Sequence, residues 1–382
     1  MFSRCTVLPA TRFAHHFACR RAATVACLET AHPGDDRALR QWLDTNPLAR
    51  PRCVLGKTEG NGCVNDFTRG YSSLIVKQAL GPRLDDTSII MSGGTEGILT
   101  PHFLLFAEDA KTQMVLAPSR GPRLSLGVSC TRALEPYEIG TRSQIEATRD
   151  AVLEACKDAG LDPKALCFAQ IKCPLLTPER IFASEKECMT HDGYISMGLS
   201  RGASALGVAL ATGELSEERV EDASAQLCDS TGLATFASSV ASASAGIELL
   251  HSEIFVLGNA EGSTSAFKAA HCVMQDAVDS RSVFTMLTKD AGLEMDAGQL
   301  TPDSQRRVRA VLAKADPIAA VRGERTTMCS DSDINATRHS RAAVGGLLSG
   351  LIGSTRLYVS GGAEHQGPQG GGPVCVIYEA DS

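Results

Sequence analysis

Three serines in this chain share one short pattern, S-x-G-x-E, each at the end of an apolar run. The copies are SGGTEG from Ser92, SAGIEL from Ser244 and SGGAEH from Ser360. A serine hydroxyl becomes a nucleophile when a neighbouring base takes its proton. The backbone N–H groups of a glycine-containing turn can bind an oxyanion. The pattern therefore predicts acyl-transfer chemistry at the ends of strands.

A lysine and an arginine precede each of these serines in the same order. The three sets are Lys57–Arg69–Ser92, Lys172–Arg201–Ser244 and Lys314–Arg341–Ser360. Lysine can act as a base when burial or nearby cations favour its neutral form, and the arginines supply such cations. Capping or structural salt bridges would explain one set alone. Nine residues in register instead indicate a ligand site.

Each copy reads as a strand, a helix and a second strand. The lysines end the runs RCVLGK, CFAQIK and RAVLAK, and the serines end the next strand of each copy. Between them, Thr68, Ser200 and Ser340 each precede an arginine and a small or apolar stretch. We expect these three residues to be helix N-caps, which would place each arginine in a first helical turn.

Three similar units in one chain predict an α/β fold in which three repeat domains surround one central active site with pseudo-threefold symmetry. The boundaries are predicted at 24–112, 113–262 and 263–382, after an N-terminal extension of residues 1–23. Further helices are expected over Ser143–Gly160, and from an N-cap at Thr301 followed by Pro302. The segment Gly258–Ser265 has the composition of a linker and lacks the P-loop pattern.

The composition argues against several classes of partner. The 382 residues are 43% apolar and 21% charged, with a net charge of -7 and no long basic run, so we expect neither nucleic acid nor a membrane surface as partner. No apolar stretch of about 18 residues is present. The 14 cysteines include no C-x-x-C pair, and reduced, largely buried thiols are expected.

The N-terminus contains four arginines and no acidic residue before Glu29. Such a start can be an organelle transit peptide, and a disordered or alternatively started N-terminus is the simpler explanation. We expect a cytoplasmic protein, with mitochondrial targeting by this segment as the alternative.

Three equivalent lysine, arginine and serine sets around one centre would suit a ligand with three similar polar edges. A small ring with three carbonyls, spaced by N–H or CH₂, has this form. The sequence therefore favours triazine-trione or pyrimidine-trione rings as substrates.

Several longer motifs resemble the cyclic amide hydrolases, the family of cyanuric acid amidohydrolase and barbiturase. They are GKTEGNGCVNDFTRG, MSGGTEGILTPHF, IKCPLLT, SRGASALGVALA, DSDINATRHSRA and SGGAEHQGPQGGGPV. The resemblance extends from about Thr24 to the C-terminus. It implies three similar domains around one active site, a small cyclic imide as substrate and a homotetramer.

The resemblance also assigns residues. Lys172 is implied as the base and Ser244 as the nucleophile, with Lys57 and Lys314 as supporting lysines. The implied substrate contacts are Arg69, Ser92, Gly93, Arg201, Ser244, Ala245, Arg341, Ser360 and Gly361. The choice of Ser244 over the nearby Ser239 and Ser242 depends on the alignment of the S-x-G-x-E patterns.

A structural divalent cation is implied near the C-terminal glycine turn, magnesium in most members and calcium as the alternative. The implied ligands are Asp316, Ala363, Gln366, Gly367, Pro368 and Gly371. Asp316 stands where the family usually has a glutamate, and its shorter reach makes the site less secure. A calcium loop at Asp331–Asn335 is a weaker reading, because Ala336 replaces the expected glycine.

The expected activity is hydrolytic ring opening of cyanuric acid to carboxybiuret, which gives biuret and CO₂. Barbiturase, which forms ureidomalonate from barbituric acid, is the alternative, because the two rings differ only in N–H versus CH₂ at one position. A non-catalytic protein that binds small rings and a purely structural repeat protein are weaker alternatives from other classes.

Overall fold

The structure is a computed structural model that describes residues 22–109, 121–227 and 235–380. The arginine-rich start of the chain, on which the transit-peptide prediction depends, lies outside these residues. In the described residues, strands form three four-stranded sheets and two two-stranded ribbons. The same residues contain no helix that combines the length and apolar character needed to cross a bilayer.

The first unit consists of β1 (Ala22–Glu29), α1 (Arg37–Thr45), β2 (Arg50–Thr58), α2 (Phe67–Leu80), β3 (Ser88–Gly93) and β4 (His102–Asp109). Its strand order is β1-β4-β2-β3. Strands β2 and β3 are parallel and are joined through α2, while β4 returns antiparallel between β1 and β2.

The second unit consists of β5 (Arg123–Cys130), α3 (Arg142–Ala159), β6 (Leu166–Pro174), α4 (Pro178–Phe182), α5 (Gly193–Thr212), α6 (Val220–Gln226), β7 (Ala241–Gly246) and β8 (Glu253–Ala260). Its strand order, β5-β8-β6-β7, repeats that of the first sheet. The parallel pair is β6 with β7.

The third unit consists of β9 (Phe267–Met274), α7 (Ser280–Thr285), β10 (Met295–Asp296), β11 (Gln299–Leu300), α8 (Pro302–Arg307), β12 (Val308–Ala315), β13 (Ala320–Val321), β14 (Glu324–Arg325), α9 (Ala336–Ile352), β15 (Tyr358–Gly361) and β16 (Gly372–Glu379). Its main sheet has the order β15-β12-β16-β9, the same topology read from the other edge. Strands β12 and β15 are the parallel pair.

Each unit also repeats one irregularity. The pairing of the lysine-bearing strand with its antiparallel neighbour shifts register around Arg52 in β2, Cys167 in β6 and Arg309 in β12. Each of these residues lies five positions before the lysine of its strand. A β-bulge bends its strand and increases the local twist. Three bulges at one position support the expected α/β fold of three similar units.

The central core lies where the three sheets face one another. Phe106 of the first sheet and Phe255 of the second pack with ring centroids 4.8 Å apart, and Tyr358 of the third sheet belongs to the same buried cluster. Helices cover the opposite faces: α1 and α2 on the first sheet, α3 and α5 on the second, α7 and α9 on the third. Both faces of each sheet are therefore buried, which fits the apolar character of the strands.

The helix starts differ from those expected. The N-caps of α2, α5 and α9 are Asp66, Asp192 and Asn335, whose side chains accept from backbone N–H groups of the first turn. The predicted caps at Thr68, Ser200 and Ser340 were wrong because a better acceptor lies upstream of each. Other expectations were confirmed, including the left-handed Gly160 after α3 and the Thr301 N-cap of α8.

The earlier helix starts also place two arginines beyond the first turn. Arg69 is the third residue of α2, whereas Arg201 is the ninth residue of α5 and Arg341 the sixth of α9. The expectation that all three lie in a first helical turn was therefore wrong for the last two. The expected linker Gly258–Ser265 was wrong in part, because its first three residues belong to β8.

Candidate active site

The lysines of the three sets are fully buried in their sheets. Lys57, Lys172 and Lys314 have exposed fractions of 1%, 0% and 1%. Each lies directly opposite the serine of its set, because β2 pairs with β3, β6 with β7 and β12 with β15 in parallel register. The strand, helix and strand connection thus brings each lysine and serine side by side.

The lysines also link the three units in a closed ring of hydrogen bonds. Each Nζ donates to the carbonyl of the residue that precedes the serine of another unit. The bonds are Lys57 Nζ to Val359 O at 2.7 Å, Lys172 Nζ to Met91 O at 2.8 Å and Lys314 Nζ to Ala243 O at 2.5 Å. The first unit contacts the third, the third the second, and the second the first. This cyclic pattern is the pseudo-threefold symmetry at atomic detail.

Contacts between lysine and serine differ among the units. Lys57 Nζ lies 3.4 Å from Ser92 Oγ, and Lys314 Nζ lies 3.2 Å from Ser360 Oγ. In the second unit, Lys172 Nζ is 3.3 Å from Glu248 Oε1, and Ser244 Oγ donates to Ile171 O at 3.5 Å. The implied catalytic pair is therefore adjacent in the sheet, but its two polar groups have other partners.

Two of the arginines form bidentate ion pairs between units. Arg201 of α5 donates to Glu364 through Nε at 2.8 Å and Nη2 at 2.6 Å. Arg341 of α9 donates to Glu96 through Nε at 2.8 Å and Nη2 at 2.5 Å. Both glutamates are the last residue of an S-x-G-x-E pattern. These pairs fix the planes of two guanidinium groups beside the serines.

The third arginine is held differently. Arg69 Nη1 donates to Ala245 O at 3.1 Å, and Nη2 donates to Cys63 O at 2.6 Å. Its Nε lies 3.6 Å from the N-cap carboxylate of Asp66. The threefold pattern of arginine and glutamate pairs is thus broken where Arg69 of the first unit would meet the equivalent glutamate of the second unit.

Burial dominates the pKa values of the lysines. The pKa of Lys172 is lowered by burial and by Arg69, although Glu248 acts in the opposite direction. Burial, with Arg201 and Arg341 nearby, lowers the pKa of Lys314 to about 7. Burial and Arg341 hold the pKa of Lys57 well below its usual value. Neutral lysine, the form that can accept a proton, is therefore accessible in all three sets.

A small, partly enclosed cavity lies at the centre of the ring. Its lining contains Gly62, Arg69, Ser92, Gly93, Met197, Arg201, Ser244, Ala245, Arg341, Ser360 and Gly361. All nine residues implied as substrate contacts are among them, and the structure brings them together from three units. That they contact substrate stays a prediction.

Sequence reasoning missed two lining residues and three glutamates. Met197 lies one helical turn before Arg201 in α5, and Gly62 has a left-handed φ of 74° in the loop before α2. The glutamates Glu96, Glu248 and Glu364 were visible as the last letter of S-x-G-x-E, but no role followed from the letter alone. Their repetition in three copies that each also contain an arginine was the available signal.

The residues implied as metal ligands lie near one another in the third unit. Asp316 is in the turn after β12, and its Oδ2 accepts from Gly370 N at 2.9 Å. Burial raises the pKa of this carboxyl group to about 6. The side-chain oxygen of Gln366 accepts a hydrogen bond from Ala243 N at 2.7 Å. The backbone carbonyl of Gln366 is therefore the oxygen that remains available as a metal ligand.

The oxygen atoms that could bind a metal at this turn suit a hard cation. They are the half-buried carboxylate of Asp316 and the backbone carbonyls of Ala363, Gln366, Gly367, Pro368 and Gly371. Magnesium and calcium prefer such oxygen ligands. No cluster of three or more His, Cys, Asp or Glu side chains able to hold a metal occurs within residues 22–109, 121–227 and 235–380. A metal here would therefore depend on backbone oxygens, and its presence stays a prediction.

Comparison with known proteins gave one consistent result. The family model described as amidohydrolase ring-opening protein matches residues 24–379. A cyanuric acid amidohydrolase of Ectopseudomonas oleovorans is 48% identical over 372 residues, covering 92% of this chain and 98% of that protein. One of Pseudomonas sp. (strain ADP) is 45% identical over 364 residues, covering 91% and 96%.

Solved structures agree with these sequence matches. A cyanuric acid hydrolase structure, described as an innovation by structural concatenation, superposes with a TM-score of 0.86 at 42% identity, covering 95% of this chain and all of that one, 100%. The cyanuric acid hydrolase from A. caulinodans gives a TM-score of 0.82 at 42% identity, covering 94% and 99%. The fold and the arrangement of concatenated units are thus shared with these proteins.

Proposed function

The chain belongs to the family of ring-opening amidohydrolases, and from this premise we propose that it opens the ring of cyanuric acid by hydrolysis. The observation that supports this substrate most directly is the central cavity, to which three units contribute an arginine, a serine and the residue after the serine. Cyanuric acid has three equivalent edges of carbonyl and N–H. A site with three similar walls matches such a ring better than it matches a ligand with one polar end.

The proposed reaction begins with proton transfer from Ser244 Oγ to neutral Lys172 Nζ. The serine oxygen then forms a bond to one ring carbonyl carbon, and the carbonyl electrons move to oxygen. When the tetrahedral intermediate collapses, the ring C–N bond breaks and the nitrogen takes the proton from Lys172. The product of this half-reaction is an open-chain acyl group on Ser244.

Water completes the proposed cycle. Lys172 takes a proton from water, the hydroxide oxygen bonds to the acyl carbon, and the bond from carbon to Ser244 Oγ breaks. The serine oxygen recovers its proton from Lys172, and carboxybiuret leaves. Carboxybiuret then loses CO₂ to give biuret. One water is consumed per ring, and no redox step or co-reactant is needed.

The arginines have a role in binding in this proposal. Arg201 and Arg341 are fixed by carboxylates, and Arg69 is fixed by backbone carbonyls. Their guanidinium groups offer hydrogen-bond donors to the carbonyl oxygens of the ring. Ser92 and Ser360 occupy the positions equivalent to Ser244 and are proposed to hold the remaining edges.

A divalent cation is proposed to have a structural role in the C-terminal turn and no role in the chemical steps. Asp316 and the carbonyls of the turn that contains Gln366 and Gly367 would hold it. The same turn carries Glu364, which fixes Arg201. A cation would therefore stabilise one of the arginine positions.

The test is turnover of cyanuric acid and barbituric acid, side by side, by the purified protein. We expect ring opening of cyanuric acid with release of biuret and CO₂. Ser244→Ala should lower kcat by about 10³-fold or more, since it removes the nucleophile. Ser242→Ala is the matched control, because Ser242 lies on the same strand and donates to Gln170 at 2.8 Å.

Three results would overturn parts of this proposal. Faster opening of barbituric acid would assign the protein as a barbiturase. Binding of either ring by calorimetry, without turnover, would assign a binding protein. Full activity of Ser244→Ala would remove Ser244 as the nucleophile.

A further inference from the structure

The glutamates of the three S-x-G-x-E patterns do not have equivalent partners. Glu96 and Glu364 each receive two hydrogen bonds from an arginine of another unit. By symmetry, Glu248 would receive them from Arg69. Glu248 instead lies 3.3 Å from Lys172 of its own unit.

Contacts of the lysine side chains differ in the same way. Lys57 Nζ has three neutral oxygen partners: Val359 O at 2.7 Å, Ser92 Oγ at 3.4 Å and Gly93 O at 3.4 Å. Lys172 also has its carbonyl partner, Met91 O at 2.8 Å, but a carboxylate takes one of the remaining directions. Within the part of the chain that the structure describes, Lys172 is the one lysine of the three that forms an ion pair.

The surroundings of the glycine in each S-x-G-x-E pattern differ in the same way. A Cβ at Gly94 would lie 2.5 Å from the Arg341 guanidinium, and one at Gly362 would lie 2.8 Å from that of Arg201. A Cβ at Gly246 would collide with Glu248 and would lie 2.5 Å from Lys172 Cε. Two glycines thus give room to an arginine, whereas Gly246 gives room to the lysine and glutamate pair.

We infer that Glu248 is a positioning residue for Lys172. Glu248 orients the Lys172 amine and stabilises the ammonium that forms when Lys172 takes the proton of Ser244. The inference rests on the proposed function. A base that is oriented by a third group is the arrangement of nucleophilic triads in general. The same contact distinguishes the second unit from the other two, whose lysines have neutral partners.

The charged and titratable groups that face Lys172 are few. Glu248 follows β7, and Arg69 reaches the site from α2 of the first unit. Cys173 is the next residue of β6, and burial raises the pKa of its thiol, which keeps it neutral. Beside Lys172 in β8, the carboxylate of Glu253 accepts from Ile89 N at 3.0 Å. Glu248 is therefore the carboxylate in direct contact with the Lys172 amine.

Glu248→Gln keeps the shape of the side chain and removes its charge. Since the carboxylate raises the pKa of Lys172, its loss should move the acidic limb of the kcat/KM profile to lower pH by about one pH unit. Loss of orientation should lower kcat by roughly 10²-fold. Glu248→Asp should restore part of kcat, because the carboxylate is still present.

Glu96→Gln is the matched control, because it removes the equivalent carboxylate from Arg341 instead of from a lysine. It should raise KM and leave the acidic limb in place. The inference is overturned if Glu248→Gln behaves like Glu96→Gln, with a raised KM and an unmoved limb. Thermal unfolding of all variants identifies one that has failed to fold.

A second measurement needs no substrate. Lysines labelled with ¹³C at Cε are titrated by NMR, and the Lys172 signal is identified by its loss in Lys172→Met. Glu248→Gln should lower the titration midpoint of this signal, and an unchanged midpoint overturns the inference. Absence of wild-type turnover would overturn the proposed substrate, and this titration would still decide the role of Glu248.

Discussion

Lys314 Nζ donates a 2.5 Å hydrogen bond to the carbonyl of Ala243, the residue before Ser244. The lysine belongs to the third unit and the serine to the second. Since each lysine of the ring supports the serine strand of another unit, the supporting lysines should not be equivalent in their effects. Lys314 supports the strand of Ser244, whereas Lys57 supports the strand of Ser360 through Val359 O.

Lys314→Met should therefore lower kcat more than Lys57→Met does. We expect a loss of about tenfold or more relative to Lys57→Met, which corresponds to about 1.4 kcal/mol. Lys57→Met should act mainly through a higher KM, because Ser360 is proposed to hold substrate. Steady-state kinetics on cyanuric acid measure both constants. Equal effects of the two variants on kcat would contradict the claim that Lys314 supports the strand of Ser244 and Lys57 that of Ser360.

Arg201→Lys should raise KM by roughly 10- to 100-fold while it preserves the charge. Lysine cannot reproduce the two parallel hydrogen bonds that Arg201 makes to Glu364. The matched control is Arg309→Lys, because Arg309 forms its ion pair with Glu379 outside the cavity and both side chains are exposed. Substrate titrations measure KM, and a change of similar size in both variants would show that the effect is not specific to the cavity.

Activity should rise with pH through the pKa of Lys172, with a midpoint below the ordinary pKa of lysine. The sign follows because the base must be neutral, and burial lowers the pKa of Lys172. Glu248, Arg69 and Cys173 are the other charged or titratable groups that affect the pKa of Lys172. The pH dependence of kcat/KM provides the measurement. A profile that falls as pH rises from 6 to 8 would contradict neutral Lys172 as the base.

Asp158→Asn should destabilise the protein by roughly 3 kcal/mol, because it leaves the buried Arg52 guanidinium without its closest carboxylate. Arg52 lies in the first unit and Asp158 in α3 of the second, so this ion pair joins two units. Asp303→Asn removes the exposed partner of Arg306 and should change stability by less than about 1 kcal/mol. Urea unfolding compares the two variants. Equal midpoints would show that the pair between units adds nothing to stability.

A chelator should lower the Tm of the wild-type protein if the turn around Asp316 holds a divalent cation. Asp316→Asn removes the carboxylate, so its Tm should be lower than that of the wild type and insensitive to chelator. Added magnesium should restore the Tm of the chelated wild type and leave the variant unchanged. A wild-type Tm that does not respond to chelator would make the metal prediction wrong.

The internal repeats made much of the fold predictable. Lysine, arginine and serine recur in a fixed order, and the structure places them on a strand, a helix and a parallel strand in each unit. Threonine and serine caps were expected for the helices, but Asp66, Asp192 and Asn335 cap them, because local pattern does not rank competing acceptors.

Contacts between units could not be read from the sequence. The bond of Lys57 to Val359 O joins residues 302 positions apart, and nothing near Lys57 specifies its partner. The different partner of Glu248 was also invisible, because its pattern has the same letters as those of Glu96 and Glu364. A Cβ at Gly246 would meet both Glu248 and Lys172, a proximity that the sequence pattern does not specify.

The ring of lysines has a consequence for how the chain acquires its active form during synthesis. Lys57 is made 302 residues before Val359, whose carbonyl is its partner. A ribosome must therefore extend the chain into the third unit before the buried Lys57 amine can contact this carbonyl. Partial products that end before Val359 therefore contain Lys57 without this partner, and the ring of lysine contacts can close only after β15 has been made.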